Sequence, residues 1–209
     1  NVKKNVLLLP GHGGTVKEFR RARLPQWQAC VNDAVKNASR EGGVIFVGHS
    51  MGCLLGLQAA LKGGFVPEAT LLLCCPFRIR PTLRYFKQNA ALLGSGNNDD
   101  PFLAAARQAN SVKAKHGAEY MTCAAPYIEL LKLIKNTRRA QGRIHGAEFY
   151  FAERDEIVAP SSKTCALRFA GKESVHILPG SGQNYFTEAA KRMLRERLLF
   201  LVGERQRRL

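Results

Sequence analysis

Apolar runs alternate with amphipathic segments along the chain. Five short apolar runs predict strands buried on both faces, and their sequences are NVLLLPG, GVIFVG, ATLLLCC, AEFYFAE and SVHILPG. Between the first two runs, apolar residues recur at helical spacing from Pro25, which suits a first helical turn, to Gly42-Gly43, which stops a helix. Strands that alternate with helices over short connections predict an α/β fold, with a mostly parallel sheet flanked by helices.

Two further helices follow the same pattern. The segment MGCLLGLQAALKGG predicts a helix that a second glycine pair closes. The last helix is predicted from about residue 185 to residue 202, with Asn184 as its N-cap. The chain has no internal repeat.

The stretch from 76 to 145 interrupts this alternation. It is polar and basic, it contains no buried strand, and it predicts helical pieces: Asp100-Pro101 is a helix start, PYIELLKLIKN has an apolar stripe, and GSGNNDD is a loop. Parallel sheets bind ligands at the carboxyl ends of their strands, so a helical insertion there predicts a cap, or lid. We expect a core of residues 1–75 and 146–209 and a cap of residues 76–145.

Composition fits a core-forming protein of one domain. The chain has 209 residues, of which 45% are hydrophobic and 23% charged. No apolar run reaches the roughly 20 residues of a membrane-spanning helix, and the N-terminal run is too short for a signal peptide. Six cysteines in apolar surroundings, without metal-binding spacing, predict reduced thiols, no metal site and a cytoplasmic location. They are Cys30, Cys53, Cys74, Cys75, Cys123 and Cys165.

The charge of the protein is strongly basic. Its 32 Lys and Arg residues against 16 Asp and Glu residues give a net charge of +16. Such a surface attracts nucleic acid, anionic lipid or an acidic substrate. The basic residues are scattered, however, and no zinc finger or basic-aromatic motif is present, so nucleic acid is not the expected partner.

The sharpest chemical signal is Gly48-His-Ser-Met-Gly52, a G-x-S-x-G between a predicted strand and a predicted helix. A strained turn from strand to helix lifts a serine hydroxyl clear of the backbone, and flanking glycines let neighbouring chain approach. This context predicts that Ser50 is a nucleophile.

Four segments in order resemble the α/β-hydrolase-fold enzymes: NVLLLPGHGGT, VIFVGHSMGCLLG, FYFAERDEIVAP and HILPGSGQN. The chain looks most like their small carboxylesterase and monoglyceride-lipase branch, over nearly all of its length apart from the predicted cap. The resemblance implies a serine esterase or lipase-like hydrolase that acts on a small-molecule ester or acyl substrate through a Ser-Asp-His-type triad, without a cofactor. Acyl and alcohol specificity do not follow from it.

The resemblance also implies roles for single residues. Ser50 matches the nucleophile, and Asp155 matches the acid in the turn after AEFYFAE, with Glu153 and Glu156 as competitors. The backbone N–H of Met51, the residue after the nucleophile, is expected to be one donor of the oxyanion hole.

The other oxyanion donor is expected from the loop after the first predicted strand. Aligned on LLLPGHGGT, His12 offers its backbone N–H. A one-step shift of register would instead make the donor Gly13 or Gly14.

The departure from the resembled pattern is Gln183. In those enzymes the turn after the last strand ends in Ser-Gly-His, and the histidine is the general base; here Ser181-Gly182 is followed by glutamine. A primary amide cannot take the serine proton at neutral pH. We therefore expect impaired hydrolysis by this chain.

The five histidines offer few substitutes for the missing base. His176 is about 20 Å up the strand if the chain is extended, which favours a structural role. His49 faces away from the serine in the resembled pattern, and His116 and His145 belong to the cap or its border. His12 is the credible stand-in, because its loop is expected to face the serine.

Three explanations for Gln183 are open: a natural non-catalyst, a substitution introduced to stall an enzyme, or a replacement base. They correspond to different functions. One is an ester hydrolase with weak turnover, and the alternative is a binding protein of the same fold for an acyl-bearing or anionic ligand. Acyl transfer to an acceptor other than water is a third option.

Overall fold

A four-stranded parallel sheet forms the centre of the protein, in the order β1-β2-β3-β4. The computed structural model describes residues 2–92, 100–112, 119 and 122–207. The strands are β1 (Ile45–His49), β2 (Ala69–Leu73), β3 (Ala147–Ala152) and β4 (Val175–Leu178). All three neighbouring pairs of strands are parallel. Ile45 of β1 lies opposite Ala69 of β2, and Ala152 of β3 lies opposite Leu178 of β4. The predicted parallel α/β architecture is confirmed.

Helices connect and flank these strands. In chain order they are α1 (Val16–Phe19), α2 (Leu24–Glu41), α3 (Met51–Leu61), α4 (Leu83–Leu92), α5 (Pro101–Ala109), α6 (Ala124–Arg139), α7 (Ser162–Ala166) and α8 (Glu188–Arg207), with a 3₁₀ turn at Lys172–Ser174 before β4.

Alternation along the strands sends side chains to two separate cores. Phe149 and Phe151 of β3 face the larger core, which includes Trp27 of α2 and Leu54 of α3. Tyr150, between those two phenylalanines, faces the smaller core beneath α8. Helices thus cover both faces of the sheet, as parallel strands require.

The first predicted strand is wrong. The NVLLLPG segment lies outside the sheet, and the side chains of Val6, Leu7 and Leu8 are 81%, 43% and 64% exposed. Leu9 of this run packs against the larger core. A strand forms its ladder hydrogen bonds with the edge of a neighbouring strand. An apolar run in the sequence does not indicate whether such an edge is available.

Most predicted helix ends are confirmed, but both ends of the last helix differ, since it starts later than predicted and runs to Arg207 rather than to about residue 202. Pro25 lies in the first turn of α2, which ends before Gly42, and Asp100 Oδ1 accepts from Phe102 N–H at 2.9 Å to cap α5. Asn184 is not the N-cap of α8, which begins later, at Glu188. Thr187 caps it instead, by accepting from the N–H of Ala190 at 3.3 Å. Most of the predicted GSGNNDD loop lies outside the described residues.

The stretch from 76 to 145 is helical where it is described, but its helices divide into two groups. Helix α6 packs on the core through Leu133 and Ile134, and Glu129 accepts from the N–H of Leu24 of α2 at 3.1 Å. Helices α4 and α5 pack against each other beside the strand ends. The cap of residues 76–145 stays a prediction, and α4 and α5 are the described helices of this stretch that lie beside the strand ends.

Helix α8 is tied to the sheet by an ion pair. Arg197 Nε donates to both carboxylate oxygens of Glu148 in β3, at 2.8 and 3.1 Å, and the hydroxyl of Tyr150 donates to the same carboxylate at 2.6 Å. Burial alone raises the pKa of Glu148, but these hydrogen bonds outweigh it and hold the pKa below its ordinary value. The carboxylate needs its arginine to remain ionised under the helix.

We expect Arg197→Met to lower the free energy of unfolding by about 1–3 kcal/mol, because it leaves the buried Glu148 carboxylate without its cation. Urea unfolding at pH 7 measures this. Arg192→Met on the exposed side of α8 is the matched control and is expected to change stability by at most about 0.5 kcal/mol. Equal effects of both variants would contradict an anchoring role for the pair.

Candidate active site

Three turns at the carboxyl ends of the strands bring the predicted site residues together. Ser50 follows β1, Asp155 lies in the turn after β3, and Gln183 lies beyond the turn after β4. Parallel strands place their carboxyl ends along one edge of the sheet, so residues far apart in sequence meet there. The structure brings all three side chains into one hydrogen-bonded row.

Ser50 lies at a strained turn between β1 and α3. Its φ of 51° and ψ of −121° place a non-glycine residue in a region that L-amino acids rarely adopt. The turn is held from below, because the N–H of Ser50 donates to the carbonyl of Leu73 at the end of β2, at 2.9 Å. The geometry matches the strained turn that the sequence predicted.

The two glycines of the motif differ in what they do. A Cβ on Gly48 would lie 2.9 Å from Cε1 of Phe46 and 3.0 Å from the backbone of Cys53, so this position requires glycine. A Cβ on Gly52 would have nothing within 4 Å. The prediction that close packing requires glycine is therefore confirmed for Gly48 and wrong for Gly52.

Gln183 links the serine to the acid. Its side-chain oxygen accepts from Ser50 Oγ at 2.8 Å, and its side-chain nitrogen donates to Asp155 Oδ2 at 2.7 Å and Oδ1 at 3.0 Å. The amide orientation is assigned from these neighbours, since a carboxylate can only accept and so must face the nitrogen. Gln183 is 4% exposed, so the row is shielded from water on this side.

Asp155 is held in a partly desolvated setting. Its Oδ1 accepts from the N–H groups of Ile157, at 2.9 Å, and Val158, at 2.7 Å, and the Cys74 thiol donates to the same carboxylate. Desolvation is the largest influence and raises the pKa of Asp155 to about 6, although the two backbone bonds oppose it. At pH 7 the group is mostly ionised and accepts from Gln183.

The two competing carboxylates bind backbone rather than the Gln183 side chain. Glu153 Oε2 accepts from the N–H of Gly180 at 2.7 Å. Glu156 is 4% exposed, and its Oε2 accepts from the N–H of Gln183 at 2.8 Å. Of the three acids that the sequence offered, Asp155 is the one in contact with the Gln183 amide.

His49 completes a clamp on the backbone of Gln183. Its Nε2 lies 2.8 Å from the carbonyl of Gln183, and its ring packs edge-on against Phe186. Desolvation lowers the pKa of His49, so the ring is neutral at pH 7 and its Nε2–H donates to the carbonyl. Glu156 holds the N–H and His49 the C=O of the same residue, a role that sequence reasoning missed because it assigned His49 only by its direction from the serine.

None of the described histidines hydrogen-bonds Ser50. The His12 ring packs against Phe19 and Trp27, with centroids at 5.2 and 6.0 Å, and burial lowers its pKa. His176 stacks on Tyr150 at the other end of the strand, and His145 is exposed. His116 lies outside the described residues. Across the described part of the chain, the Gln183 amide alone hydrogen-bonds the serine hydroxyl.

The expected oxyanion donors differ in whether their N–H groups are already hydrogen-bonded. Met51 begins α3, where the first N–H groups have no acceptor within the helix and the dipole favours negative charge. The N–H of His12 instead donates to the carbonyl of Leu9 at 2.9 Å, and that of Gly13 to Ser111 at 2.7 Å. The tight turn at Pro10-Gly11 consumes the His12 donor, so its predicted role does not fit this arrangement.

A cavity of about 330 Å³ opens beside Gln183. Helices α4 and α5 form one wall, and the turn at residues 183–185 forms another. The guanidinium of Arg84 lies 3.5 Å from the centroid of Phe102 and 3.8 Å from Glu156, and Phe102 packs on Tyr185 at 4.6 Å. The two helices therefore rest directly on the turn that carries Gln183.

Other site classes find no support in the described residues. They contain no cluster of three or more His, Cys, Asp or Glu residues suited to a metal ion. The six cysteines are free thiols. Within the same part of the chain, no helix is long and apolar enough to cross a membrane.

Comparison with known families agrees with the fold. The model of the alpha/beta hydrolase family matches residues 6–196. The match covers most of the chain, and the protein therefore belongs to the α/β-hydrolase family. The comparison with curated protein sequences found no match.

Solved structures show the same fold at low identity. A structure described for LipS and LipT, two metagenome-derived lipolytic enzymes, has a TM-score of 0.63 and 19% identity, covering 93% of this chain and 80% of that one. A monoacylglycerol lipase from Paleococcus ferrophilus has a TM-score of 0.55 and 15% identity, with the same coverage. At these identities the likeness shows the fold and leaves the substrate open.

The pKa of Asp155 predicts a pH dependence of stability. Its folded value of about 6 exceeds its ordinary value of 3.8, so between these values the folded state binds more protons and stability falls as pH rises. The quantity to compare is the free energy of unfolding of the unchanged protein minus that of Asp155→Asn. This difference should be larger at pH 4 than at pH 7, by at most about 3 kcal/mol. Urea unfolding between pH 4 and pH 7 measures the difference.

Asp33→Asn, on the exposed surface of α2, controls for the loss of a carboxylate in itself. It should leave the pH profile parallel to that of the unchanged protein. A parallel profile for Asp155→Asn as well would show that the carboxylate is not desolvated in the folded state.

Proposed function

We propose that this protein is a serine hydrolase of carboxylic esters by architecture, in which Gln183 occupies the position of the general base and impairs turnover. Ser50 is the nucleophile, Asp155 is the acid, and the N–H of Met51 stabilises the oxyanion. The observation that carries the proposal is the row of hydrogen bonds from Ser50 Oγ through the Gln183 amide to Asp155. Family membership and lipolytic structural neighbours support the reaction class.

The chemistry follows from these positions. Ser50 Oγ loses its proton and attacks the ester carbonyl carbon, and the carbonyl electrons move to the oxygen. The carbonyl then re-forms, the C–O bond to the alcohol breaks, and the alcohol leaves with the proton that Oγ lost, which gives an acyl-serine. Water attacks the acyl-serine and releases the acid. In the tetrahedral step the oxyanion receives the N–H of Met51 at the positive end of α3. A second donor is proposed from the same loop as His12, at Gly14, whose N–H the described hydrogen bonds do not use.

Glutamine reproduces the hydrogen bonds of a neutral histidine and not its proton transfer. Like an imidazole, the amide accepts from the serine and donates to the carboxylate. Its oxygen, however, is too weak a base to take the Oγ proton at pH 7. In the protease subtilisin, loss of the histidine lowers kcat on the order of 10⁶-fold. We propose that Gln183 lowers the kcat of this protein for the same reason, the absence of a base beside the serine.

Gln183→His is expected to raise the rate of p-nitrophenyl acetate hydrolysis by several orders of magnitude, because it supplies a base between Ser50 and Asp155. The initial rate of nitrophenolate release measures it. Gln141→His is the matched control, since Gln141 is exposed and lines neither of the two cavities. It should leave the rate unchanged.

The double variant Ser50→Ala/Gln183→His should return the rate to that of the original chain. A flat rate for Gln183→His, with circular dichroism and melting temperature intact, would refute the triad assignment. So would full activity in the double variant.

The cavity beside Gln183 is lined by that residue and not by Ser50, and as the proposed substrate site it favours a compact molecule. Its volume of about 330 Å³ is at the low end of small-molecule sites. Its lining mixes rings such as Phe102 and Tyr185 with amides such as Gln88 and Asn184, over the buried carboxylate of Glu156. We assign to it a short ester with a polar end. A reducing compartment such as the cytoplasm is proposed from the six free thiols.

A specific observation favours a second function, that of a non-catalytic binding protein of the same fold. The buried residue between Ser50 and Asp155 is an amide, which hydrogen-bonds both side chains but cannot take the serine proton, so the row holds the hydroxyl without activating it. Such a protein would hold an acyl-bearing or anionic ligand in the cavity without turning it over.

A fluorophosphonate probe separates the two functions, because it labels an activated serine. An impaired hydrolase should label weakly and in proportion to its residual esterase rate, whereas a pure binding protein should not label. Gln183→His should label strongly at Ser50, and Ser50→Ala should abolish labelling, both measured by intact mass. Strong labelling of the unchanged chain would instead indicate a replacement base and contradict both functions.

A further inference from the structure

A second and larger cavity lies between the end of α6 and the residues around α7. Its volume is about 800 Å³, and it has no lining residue in common with the cavity beside Gln183. Two hydroxyls line it, from Ser161 and Thr164, and the described lining contains neither a carboxylate nor an aromatic ring. Five cationic side chains line it: Arg78, Lys135, Arg138, Arg139 and Arg168. We refer to it as the basic groove.

Helix ends explain only part of this concentration of charge. Arg138 and Arg139 lie in the last turn of α6, where the helix dipole favours cations. Arg78 and Arg168 come from other segments, one beyond β2 and one beyond α7. Three separate parts of the chain therefore contribute positive charge to one concave surface.

One arginine of the groove is held in place. Arg168 donates to the carbonyl of Arg138 at 2.7 Å and to that of Ala140 at 3.2 Å. Arg78 is fixed through its backbone, since its N–H donates to Ser162 Oγ at 2.9 Å and its carbonyl accepts from the N–H of Ala159. The frame of the groove is thus organised before any ligand binds.

The charges of the groove are not neutralised within the protein. In the part of the chain that the structure describes, none of its five cations forms an ion pair with a carboxylate. Like charges gathered in a concave site repel one another and focus a positive potential there. A bound anion would relieve the repulsion and use the potential.

We propose that the basic groove binds a small anion that carries at least two phosphate groups. Four of the five cations are arginines, whose planar guanidinium groups match phosphate oxygens in pairs. Two phosphates of about −1.5 to −2 each approach the charge of the five cations, and the hydroxyls of Ser161 and Thr164 can donate to further oxygens. The ligand is either a free diphosphate compound or the polyphosphorylated headgroup of a lipid.

The described lining disfavours single-stranded nucleic acid. Proteins that bind it combine basic grooves with aromatic side chains on which the bases stack. The described lining of the basic groove offers Leu131, Ile134 and Cys165 as its apolar residues and no ring. The groove is also independent of Ser50, so its function does not depend on the proposed esterase.

The test compares two variants of equal net charge. Arg78→Gln/Arg138→Gln removes two groove cations whose side chains make no described hydrogen bond, and Arg192→Gln/Arg195→Gln removes two exposed cations of α8. Thermal unfolding is followed while inorganic pyrophosphate is added. We expect pyrophosphate to raise the melting temperature of the unchanged protein and the α8 variant, with at least a tenfold weaker apparent affinity in the groove variant.

Vesicles identify the source of the phosphates. Cosedimentation with phosphatidylcholine vesicles that contain a bisphosphorylated phosphoinositide, but not with vesicles of equal charge made with phosphatidylserine, would assign a lipid headgroup. Binding of pyrophosphate without vesicle binding would assign a free ligand. The proposal is overturned if pyrophosphate has no effect on the melting temperature of the unchanged protein, or if both variants lose that effect equally.

Discussion

The amide of Gln183 is the interaction on which the candidate site depends. One end of it accepts from Ser50 and the other donates to Asp155, so a single side chain fixes the distance and direction of both. Because the amide has the hydrogen-bonding polarity of a neutral imidazole, the row forms without a base in it. The arrangement shows that triad-like geometry and proton transfer are separable properties: the first needs a donor and an acceptor at the right places, and the second needs basicity.

The surroundings of that amide carry strain and desolvation that the rest of the fold must offset. Ser50 is held at a positive φ by the end of β2, and Asp155 is desolvated beside two backbone N–H groups. Glu156 and His49 fix the two backbone polar groups of Gln183. Such strain persists only where neighbouring structure over-determines it, which is typical of functional sites. These hydrogen bonds hold Ser50 and Gln183 in place although Gln183 is not a base, and both an impaired hydrolase and a binding protein would have them.

Particular elements show why sequence reasoning succeeded or failed. The strands β1 to β4 were predictable because each is a short apolar run between turn residues, and that pattern reflects burial directly. The run at Val6–Leu8 has the same composition but no place in the sheet, since pairing depends on an edge elsewhere in the chain. The apolar stripe of α6 indicated that one face of the helix is buried. The sequence could not show that this face packs on the larger core rather than on another helix of the 76–145 stretch. Thr187 and Asn184 are both good capping residues, and only the path of the turn selects Thr187.

The sequence by itself determined the class of fold, the strand-to-helix turn at Ser50 and the presence of an amide where a base is expected, because these depend on local pattern and on residue chemistry. Tertiary structure decided which of three neighbouring acids contacts that amide, which backbone donors the turn at Pro10-Gly11 consumes, and that five cations from separate segments line one groove. These outcomes rest on distances between residues that the chain order keeps far apart, and only the packing of helices on the sheet sets those distances.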